Sequence, residues 1–184
     1  MIRQVGPGPI SRLLSTALSW VSGDLVPQDN MPVGVCVQRS VATPYTSNSD
    51  ITASIPLDDS VPHDSEGTQI LTVTHAMLAT GNRIKIGVGG MWSAGNTAVT
   101  MAVSIISSTA TLGIYASAQV ADANAELRQF FMQHEYAPGA TGSITYSVRA
   151  GISGGSTIRM NGLPTARRFG GVSAWHLIVE ESKG

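Results

Sequence analysis

The fold class of this chain is decided by Arg83-Ile84-Lys85-Ile86-Gly87-Val88-Gly89-Gly90-Met91-Trp92. Alternate positions in this stretch are apolar, and successive side chains of a β-strand point to opposite faces of its sheet. The stretch therefore predicts a strand with one apolar face, and Lys85 lies on the other face. We expect four side chains of the apolar face to be core residues: Ile84, Ile86, Val88 and Trp92.

Similar strand-like segments follow one another from residue 51 to the C-terminus, separated by turn residues such as Gly81-Asn82, Gly95-Asn96 and Pro138-Gly139. The predicted strands are 69–75, 83–92, 97–106, 112–119, 127–136, 143–150, 156–160 and 174–180. About eight short strands with turns between them are typical of an all-β antiparallel sandwich. Only the alanine-rich stretch 118–128 leaves a short helix open as an alternative.

The N-terminal segment 10–21 has the spacing of an amphipathic helix, with apolar residues at steps of three and four. These residues are Ile10, Leu13, Leu14, Ala17, Leu18 and Val21. Pro9 suits a first helical turn, and Gly23 offers a stop. A helix this short must dock onto something, either its own domain, a neighbouring subunit or the same helix in sister chains. We favour the last two and interpret the six residues as an anchor.

Residues 23–48 contain Pro27, Pro32 and Pro44 and are predicted to form an extended arm, with one short strand candidate at 33–38. The expected division is therefore a helix and arm over 1–48 and a sandwich over 49–184. Cys36, the only cysteine, excludes an intrachain disulfide. Because it lies in an apolar run, we expect a buried free thiol.

Charged residues make up only 12% of the chain, about half the usual share, and the net charge is −1. Such a chain has no basic footprint for nucleic acid. The surface is either rich in hydroxyls, amides and glycine or buried against copies of the same chain. We favour the second reading, which predicts a closed cyclic homotrimer. No apolar run reaches membrane-spanning length and no secretory signal is recognisable, so we expect assembly in a cytoplasm and no membrane partner.

One motif for enzymatic chemistry is present, since Gly151-Ile152-Ser153-Gly154-Gly155 matches the G-x-S-x-G nucleophile pattern. That mechanism requires a strand–turn–helix context. The flanking residues instead predict two antiparallel strands, with the glycines forming a hairpin turn. We therefore expect Ser153 to have no catalytic role and the protein not to be an enzyme; a small hydrolase using Ser153 is the alternative.

Metal and ligand sites are not predicted either. The four histidines have neither i,i+4 nor H-x-H spacing: His63, His75, His134 and His176. A carboxylate cluster has no EF-hand spacing and is better explained by turn capping than by Ca²⁺ binding: Asp58, Asp59, Asp64 and Glu66. Trp92 and Trp175 could stack on sugars with Trp20, but their apolar strand neighbours favour core or subunit contacts. We expect no catalytic residue, metal or cofactor.

Two parts of the chain resemble a known module. The first is Ser54-Ile55-Pro56-Leu57-Asp58-Asp59-Ser60-Val61-Pro62, followed by Glu66-Gly67-Thr68 and later by Gly81-Asn82-Arg83-Ile84-Lys85-Ile86. The second is Asn161-Gly162 and then Arg167-Arg168-Phe169-Gly170-Gly171-Val172-Ser173-Ala174, before a final strand that closes in an acidic residue. Together they resemble the opening and closing strands of a jelly roll found in phage minor structural proteins, which is similar to the trimeric tumour-necrosis-factor-like fold. The resemblance runs from about Val41 to the end, and the chain departs from the commonest forms at His176 and in its Lys183-Gly184 tail.

The resemblance implies a virion structural protein. We expect a trimeric head fibre or decoration protein, anchored through its N-terminus to a capsid or tail protein, with the jelly roll as the exposed knob. The alternative is a receptor- or glycan-binding tip or adaptor of the phage tail, which would use loops such as 95–96 or 136–142. In either case the expected location is the virion.

Overall fold

The computed structural model describes residues 31–95, 97–110, 112–121, 126–155, 157–163 and 166–184. The predicted helix at 10–21, with its six anchor residues, lies outside the described residues. The described part contains twelve strands, one 3-10 turn at Phe169–Gly171 and no α-helix. The strands are β1 Cys36–Val41, β2 Asp50–Ile51, β3 Thr68–Met77, β4 Arg83–Ala94, β5 Val99–Ser107, β6 Gly113–Ala121, β7 Leu127–Tyr136, β8 Gly142–Gly154, β9 Ile158–Met160, β10 Gly162–Leu163, β11 Ala166–Arg167 and β12 His176–Ser182.

The strands form two main sheets, in which every pairing is antiparallel. The first sheet has the order β1-β12-β4-β9-β2, with β7 also paired to β4, and the second has the order β3-β8-β5-β6. Leaving aside the short strands β2, β9, β10 and β11, the pairing is nested: β1 with β12, β3 with β8, β4 with β7, and β5 with β6. One apolar core includes side chains from both sheets. The expected all-β, antiparallel class is confirmed, and the arrangement is consistent with a β-sandwich.

The inward face of β4 supplies part of this core. Ile84, Ile86, Val88 and Trp92 are all fully buried. Each large apolar side chain buried in this way contributes roughly 1.5–3 kcal/mol to folding. The indole of Trp92 donates a hydrogen bond to Gln119 Oε1 at 2.7 Å, so its one polar atom is satisfied inside the sandwich.

Trp175 determines which residue β4 can carry at position 90. Its indole nitrogen donates to the carbonyl oxygen of Met91 at 2.8 Å, and the side chain is fully buried. The ring lies directly over Gly90, where a Cβ atom would come within 2.3 Å of it. Glycine is therefore required at position 90 for packing.

The first strand differs from expectation. β1 begins at Cys36 rather than Val33, and it pairs with β12 at the edge of the first sheet. Residues 36–41, which the sequence placed in the arm, thus belong to this sheet. The prediction of a buried thiol is wrong, because Cys36 is exposed at the start of an edge strand that has a partner on one side only. Val33 lies before the strand and is 76% exposed.

The predicted hairpin at 151–155 is also wrong. β8 continues through this segment to Gly154 in the second sheet, whereas β9 pairs with β4 and β2 in the first. The glycines lie where the chain crosses from the second sheet to the first. A Cβ at Gly151 would lie 2.8–2.9 Å from Ile55 and Ala53 atoms, and Gly155 has φ +95°. The helical alternative at 118–128 does not hold for its described residues, most of which belong to β6 and β7.

Candidate assembly surface

The outer face of the first sheet begins with a row of alternating charge. The strand register places Arg39, Glu180, Lys85 and Glu135 side by side across β1, β12, β4 and β7. Arg39 Nε lies 3.7 Å from Glu180 Oε1, and Arg83 Nε donates to Glu135 Oε1 at 2.5 Å. Exposed ion pairs of this kind contribute only about 0–1 kcal/mol to stability. The row is better suited to orienting a partner than to holding the fold together.

The next rows of the same surface consist mainly of apolar side chains and glycine, with Gln133 at the β7 end of the row that contains Gly87. We call this surface the apolar face and define it by Val41, Gly87, Gly89, Phe131, Val172, His176 and Ile178. Ile178 lies between Val41 and Gly87, and Gly89 lies between His176 and Phe131. Phe131 is 68% exposed and Val172 is 83% exposed. An open groove of about 540 Å³ runs over this surface. Contiguous apolar surface of this kind is characteristic of interaction sites.

The two glycines of the apolar face differ in how much space their surroundings would leave for a side chain. A Cβ at Gly87 would meet no atom within 4 Å, so packing inside this chain does not require glycine there. At Gly89 a Cβ would lie 3.3 Å from the Phe131 ring and from the Phe130 carbonyl oxygen. Without side chains at these two positions, another chain could approach the β4 backbone closely.

The 3-10 turn that precedes β12 borders the groove. Phe169 adopts φ 50°, in the left-handed region, and its side chain is 67% exposed. A bulky residue in this region costs on the order of 1–3 kcal/mol, which the surrounding structure must offset. The Arg167 guanidinium donates to the Thr46 carbonyl oxygen and so ties the turn to the rest of the domain. The turn thus exposes an aromatic side chain three residues before Val172, and the Val172 amide donates to the Phe169 carbonyl oxygen at 3.2 Å.

The outer face of the second sheet is different in chemistry. Cross-strand hydroxyls pair on it, as between Thr74 Oγ1 and Thr145 Oγ1 at 2.9 Å. The Arg149 guanidinium donates to the carbonyl oxygens of Glu66 at 2.5 Å and Gly67 at 2.9 Å. These three side chains are therefore held in place by partners within the chain itself.

The segment 54–67 lies against this second sheet. Ser54 forms a parallel bridge with Ile152, and the Gly113 amide donates to the Pro62 carbonyl oxygen at 2.7 Å. Within the segment, Asp58 Oδ1 accepts hydrogen bonds from the Ser60 hydroxyl and amide. These bonds, the hydroxyl first, lower the pKa of the Asp58 carboxyl below its ordinary value.

The carboxylates of this segment mainly support its turns. Glu66 accepts a hydrogen bond from the His63 amide at 3.2 Å, and Asp64 Oδ1 lies 2.7 Å from His63 Nδ1. Turn capping is therefore confirmed for Asp58 and Glu66. Across the described parts of the chain, no three His, Cys, Asp or Glu side chains are grouped as a metal site would require.

A buried polar cluster joins the two sheets. The fully buried Glu181 carboxylate accepts hydrogen bonds from Asn82 Nδ2 at 2.6 Å and the Leu78 amide at 3.0 Å, and it lies 3.1 Å from His75 Nε2. Ser40 Oγ completes the cluster 2.9 Å from His75 Nδ1. A buried carboxylate with these partners is satisfied, and its removal would leave several of them unpaired.

Sequence reasoning missed this cluster, although one signal was available. The sequence pattern predicts a turn at Asn82 and a last strand that ends at Glu180, one residue before Glu181. Glu181 has the same strand parity as Leu177 and Val179, which are fully buried. An acidic residue on the apolar side of a strand predicts a buried partner, since an unpaired buried charge is very costly.

Aromatic side chains close the edge of the sandwich between β6 and β7. The His134 ring stacks between Tyr115 and Tyr136 at centroid distances of 4.9 and 5.6 Å. The Tyr136 hydroxyl donates to the Tyr146 hydroxyl at 2.9 Å. Burial raises the pKa of Tyr146 well above its ordinary value of 10.0, and the hydrogen bond with Tyr136 raises it further.

The remaining candidate residues are dispersed. The four histidines lie in four separate environments, and His176 is exposed on the apolar face. Ser153 lies within β8, and the segment that follows leads to the short strand β9 rather than to a helix. Trp92 and Trp175 are core residues, which rules out a surface platform of these two rings.

No protein-family model matches the chain, and no curated protein is significantly similar to it in sequence. Within the described ranges, no helix is both long and apolar enough to cross a membrane. The feature with the clearest capacity for function is the apolar face with its charged row.

Proposed function

We propose that this chain is a virion structural protein: a jelly-roll subunit that forms a homotrimer, attaches to a phage particle through its N-terminus and displays its sandwich outward. The observation that carries the proposal is the apolar face. A sandwich that leaves Phe131, Val172 and Ile178 at a groove on one outer face has a surface suited to burial against another subunit.

The strand order supports the jelly-roll part of the proposal. In a jelly roll, eight principal strands are divided between two sheets and connected as Greek keys. The nested pairing of β1 with β12, β3 with β8, β4 with β7 and β5 with β6 fits that connectivity. The motifs that resemble phage structural modules lie at β3, β4 and the approach to β12, which are strands of this nested set.

The distribution of exposed apolar residues supports a cyclic trimer. A closed ring is built from heterologous contacts, so each subunit must present two different complementary patches. The apolar face is one such patch. A candidate for the second is the edge strand β6 with the residue before it, where Val120 on its outer side and Leu112 are 51% and 44% exposed. With few charged residues in the chain, little electrostatic repulsion opposes such contacts.

The proposal assigns particle attachment to residues 10–21. The sandwich has its own core without them, and their apolar stripe then serves a capsid or tail protein, or the same segment in two sister chains. Deleting residues 1–30 should leave a folded, soluble trimer that no longer joins particles. Leu14→Asp should reduce incorporation sharply, whereas Ser15→Asp, on the other side of the predicted helix, should have little effect.

The proposal is tested by labelling purified particles with an antibody raised against the full chain and imaging them by electron microscopy. Label at regular positions on heads or tails is the expected result, and loss of label with Leu14→Asp would tie attachment to the N-terminus. Detection of the chain only in the particle-free fraction would overturn the proposal. Loss of the folded sandwich on deletion of residues 1–30 would overturn the anchor assignment alone.

A further inference from the structure

The outer face of the second sheet contains a polar cavity of about 380 Å³, within the range of roughly 300–1,000 Å³ that is usual for small-molecule sites. Three elements contribute its polar lining: the second sheet, the β5–β6 turn and the covering segment 54–67. The polar lining includes Asp64, Gln69, Ser108, Thr145, Ser147 and Arg149. Ile106, which is 5% exposed, contributes apolar lining.

Several of these groups are held in position before any ligand arrives. Arg149 is fixed by its two bonds to the carbonyl oxygens of Glu66 and Gly67. The Ser108 hydroxyl accepts a hydrogen bond from the Thr145 amide at 2.9 Å, and the Thr145 hydroxyl pairs with Thr74. A preorganised site of this kind loses little conformational entropy on binding.

The same groups retain hydrogen-bonding capacity. Each hydroxyl can donate once and accept twice, and a guanidinium has five N–H donors, of which Arg149 uses two here. The Gln69 amide, which offers both a donor and an acceptor, makes no side-chain hydrogen bond among the described residues. The cavity therefore presents donors and acceptors of several kinds around an apolar contact from Ile106.

The cavity lining contains one charged side chain of each sign, Arg149 and Asp64, and Asp64 Oδ1 also lies 2.7 Å from His63 Nδ1. A net anionic ligand would meet the Asp64 carboxylate, and a net cationic ligand would meet the Arg149 guanidinium. A neutral ring that carries several hydroxyls matches both groups, because each hydroxyl can donate to the carboxylate or accept from the guanidinium.

We propose that this cavity binds one neutral sugar ring of a glycan. The cavity lies on the outer face of the second sheet and shares no lining residue with the groove over the apolar face. The inference goes beyond the proposed structural role and does not depend on it, because an isolated chain would present the same cavity.

The test is a titration of the ¹⁵N-labelled full chain with N-acetylglucosamine and with methyl glucoside, followed by amide chemical shifts. Saturable shifts are expected at residues 69, 107–110 and 145–149. Gln69→Ala should weaken binding about tenfold, the factor expected when one hydrogen bond to the ligand is lost. Gln133→Ala, on the outer face of the first sheet, is the matched control and should leave the affinity unchanged.

Filling the cavity provides a second variant, since Ala110→Trp should abolish binding while amide shifts away from the cavity stay in place. Sodium sulfate and N-acetylneuraminic acid serve as anionic probes. Saturable binding by these two alone would overturn the proposal in favour of an anion site at Arg149. The absence of saturable shifts with either neutral sugar, or equal affinity in wild type and Gln69→Ala, would also overturn it.

Discussion

The outer faces of the two antiparallel sheets differ in chemistry. On the second sheet, segment 54–67 lies against the strands, hydroxyls pair across them and Arg149 is tied to backbone carbonyls. On the first sheet, the strands carry glycine and exposed apolar side chains, of which Phe131 is 68% exposed. The contrast shows that one outer face is largely covered by polar contacts within the chain, whereas the other exposes glycine and apolar side chains.

The difference originates in short stretches of sequence. The outward positions of β3 and β8 carry Thr72, Thr74, Thr145 and Ser147, whose hydroxyls find partners in the same sheet. The outward positions of β4 include Gly87 and Gly89, which offer none. The chain thus provides polar, self-satisfying residues where its own backbone lies close, and apolar or missing side chains where it does not.

The largest difference is expected between a charge placed on the inner side of β4 and a charge placed on its outer side. Val88→Asp places an unpaired charge in the core and should cost about 4 kcal/mol or more, enough to unfold a marginally stable domain. Lys85→Asp lies on the outer face between two glutamates and should cost less than about 1 kcal/mol. Urea unfolding followed by circular dichroism measures both. Equal losses would mean that the outer face is packed by the chain itself, and the contrast would fail.

Adjacent glutamates of β12 provide the next comparison. Glu181→Ala leaves Asn82, His75 and the Leu78 amide without their buried partner and should cost roughly 3–5 kcal/mol. Glu180→Ala removes an exposed member of the charged row and should cost at most about 1 kcal/mol. Thermal unfolding of the two variants separates these outcomes, and a loss of similar size for Glu180 would show that the charged row stabilises the fold.

Two glycines of β4 sharpen the contrast at a smaller scale. Gly90→Ala forces a methyl group against the Trp175 ring and should cost about 1–3 kcal/mol through overpacking. Gly87→Ala points into open space, so the unfolding free energy should hardly change. If Gly87→Ala nevertheless weakened self-association, glycine there would serve the partner. A large loss of monomer stability with Gly87→Ala would contradict the description of the apolar face as open.

The smallest effect is a loss of folding stability at alkaline pH, caused by Tyr146 at the edge of the sandwich between β6 and β7. Burial keeps Tyr146 neutral, so its folded-state pKa exceeds the unfolded value of about 10. Above that pH the unfolded chain releases a proton that the folded chain retains, and stability falls as pH rises. Tyr146→Phe should remove this part of the alkaline slope, whereas Tyr115→Phe should not. Identical slopes in the two variants would show that Tyr146 ionises freely.

The sequence predicted the principal strands from local alternation, and β7 was predicted with its observed limits, Leu127–Tyr136. The errors arose where distant segments meet. Exposure of Cys36 follows from its place on an edge strand, and Gly151 is required by the approach of Ile55, nearly one hundred residues earlier. Neither of these long-range contacts can be recognised from the local alternation of apolar and polar residues.

The candidate surface was less accessible to prediction than the strands. Alternation distinguishes two sides of a strand but does not say which outer face is covered by another segment of the chain. The pairing of β1 with β12 and of β4 with β7 brings Val41, Ile178 and Phe131 onto one face. The anchor at 10–21 lies outside the described residues and stays a prediction.

Sedimentation velocity of the full chain at micromolar concentration tests the central claim most directly, with Phe131→Asp as the disrupting variant and Leu57→Asp as its control. Leu57 is 61% exposed in segment 54–67, on the other side of the sandwich. The account predicts a trimer for wild type and Leu57→Asp, and a folded monomer for Phe131→Asp because a charge is then placed at the buried contact. A monomeric wild type, or a Phe131→Asp variant that stays trimeric, would contradict the assignment of the apolar face as the surface through which copies of this chain assemble.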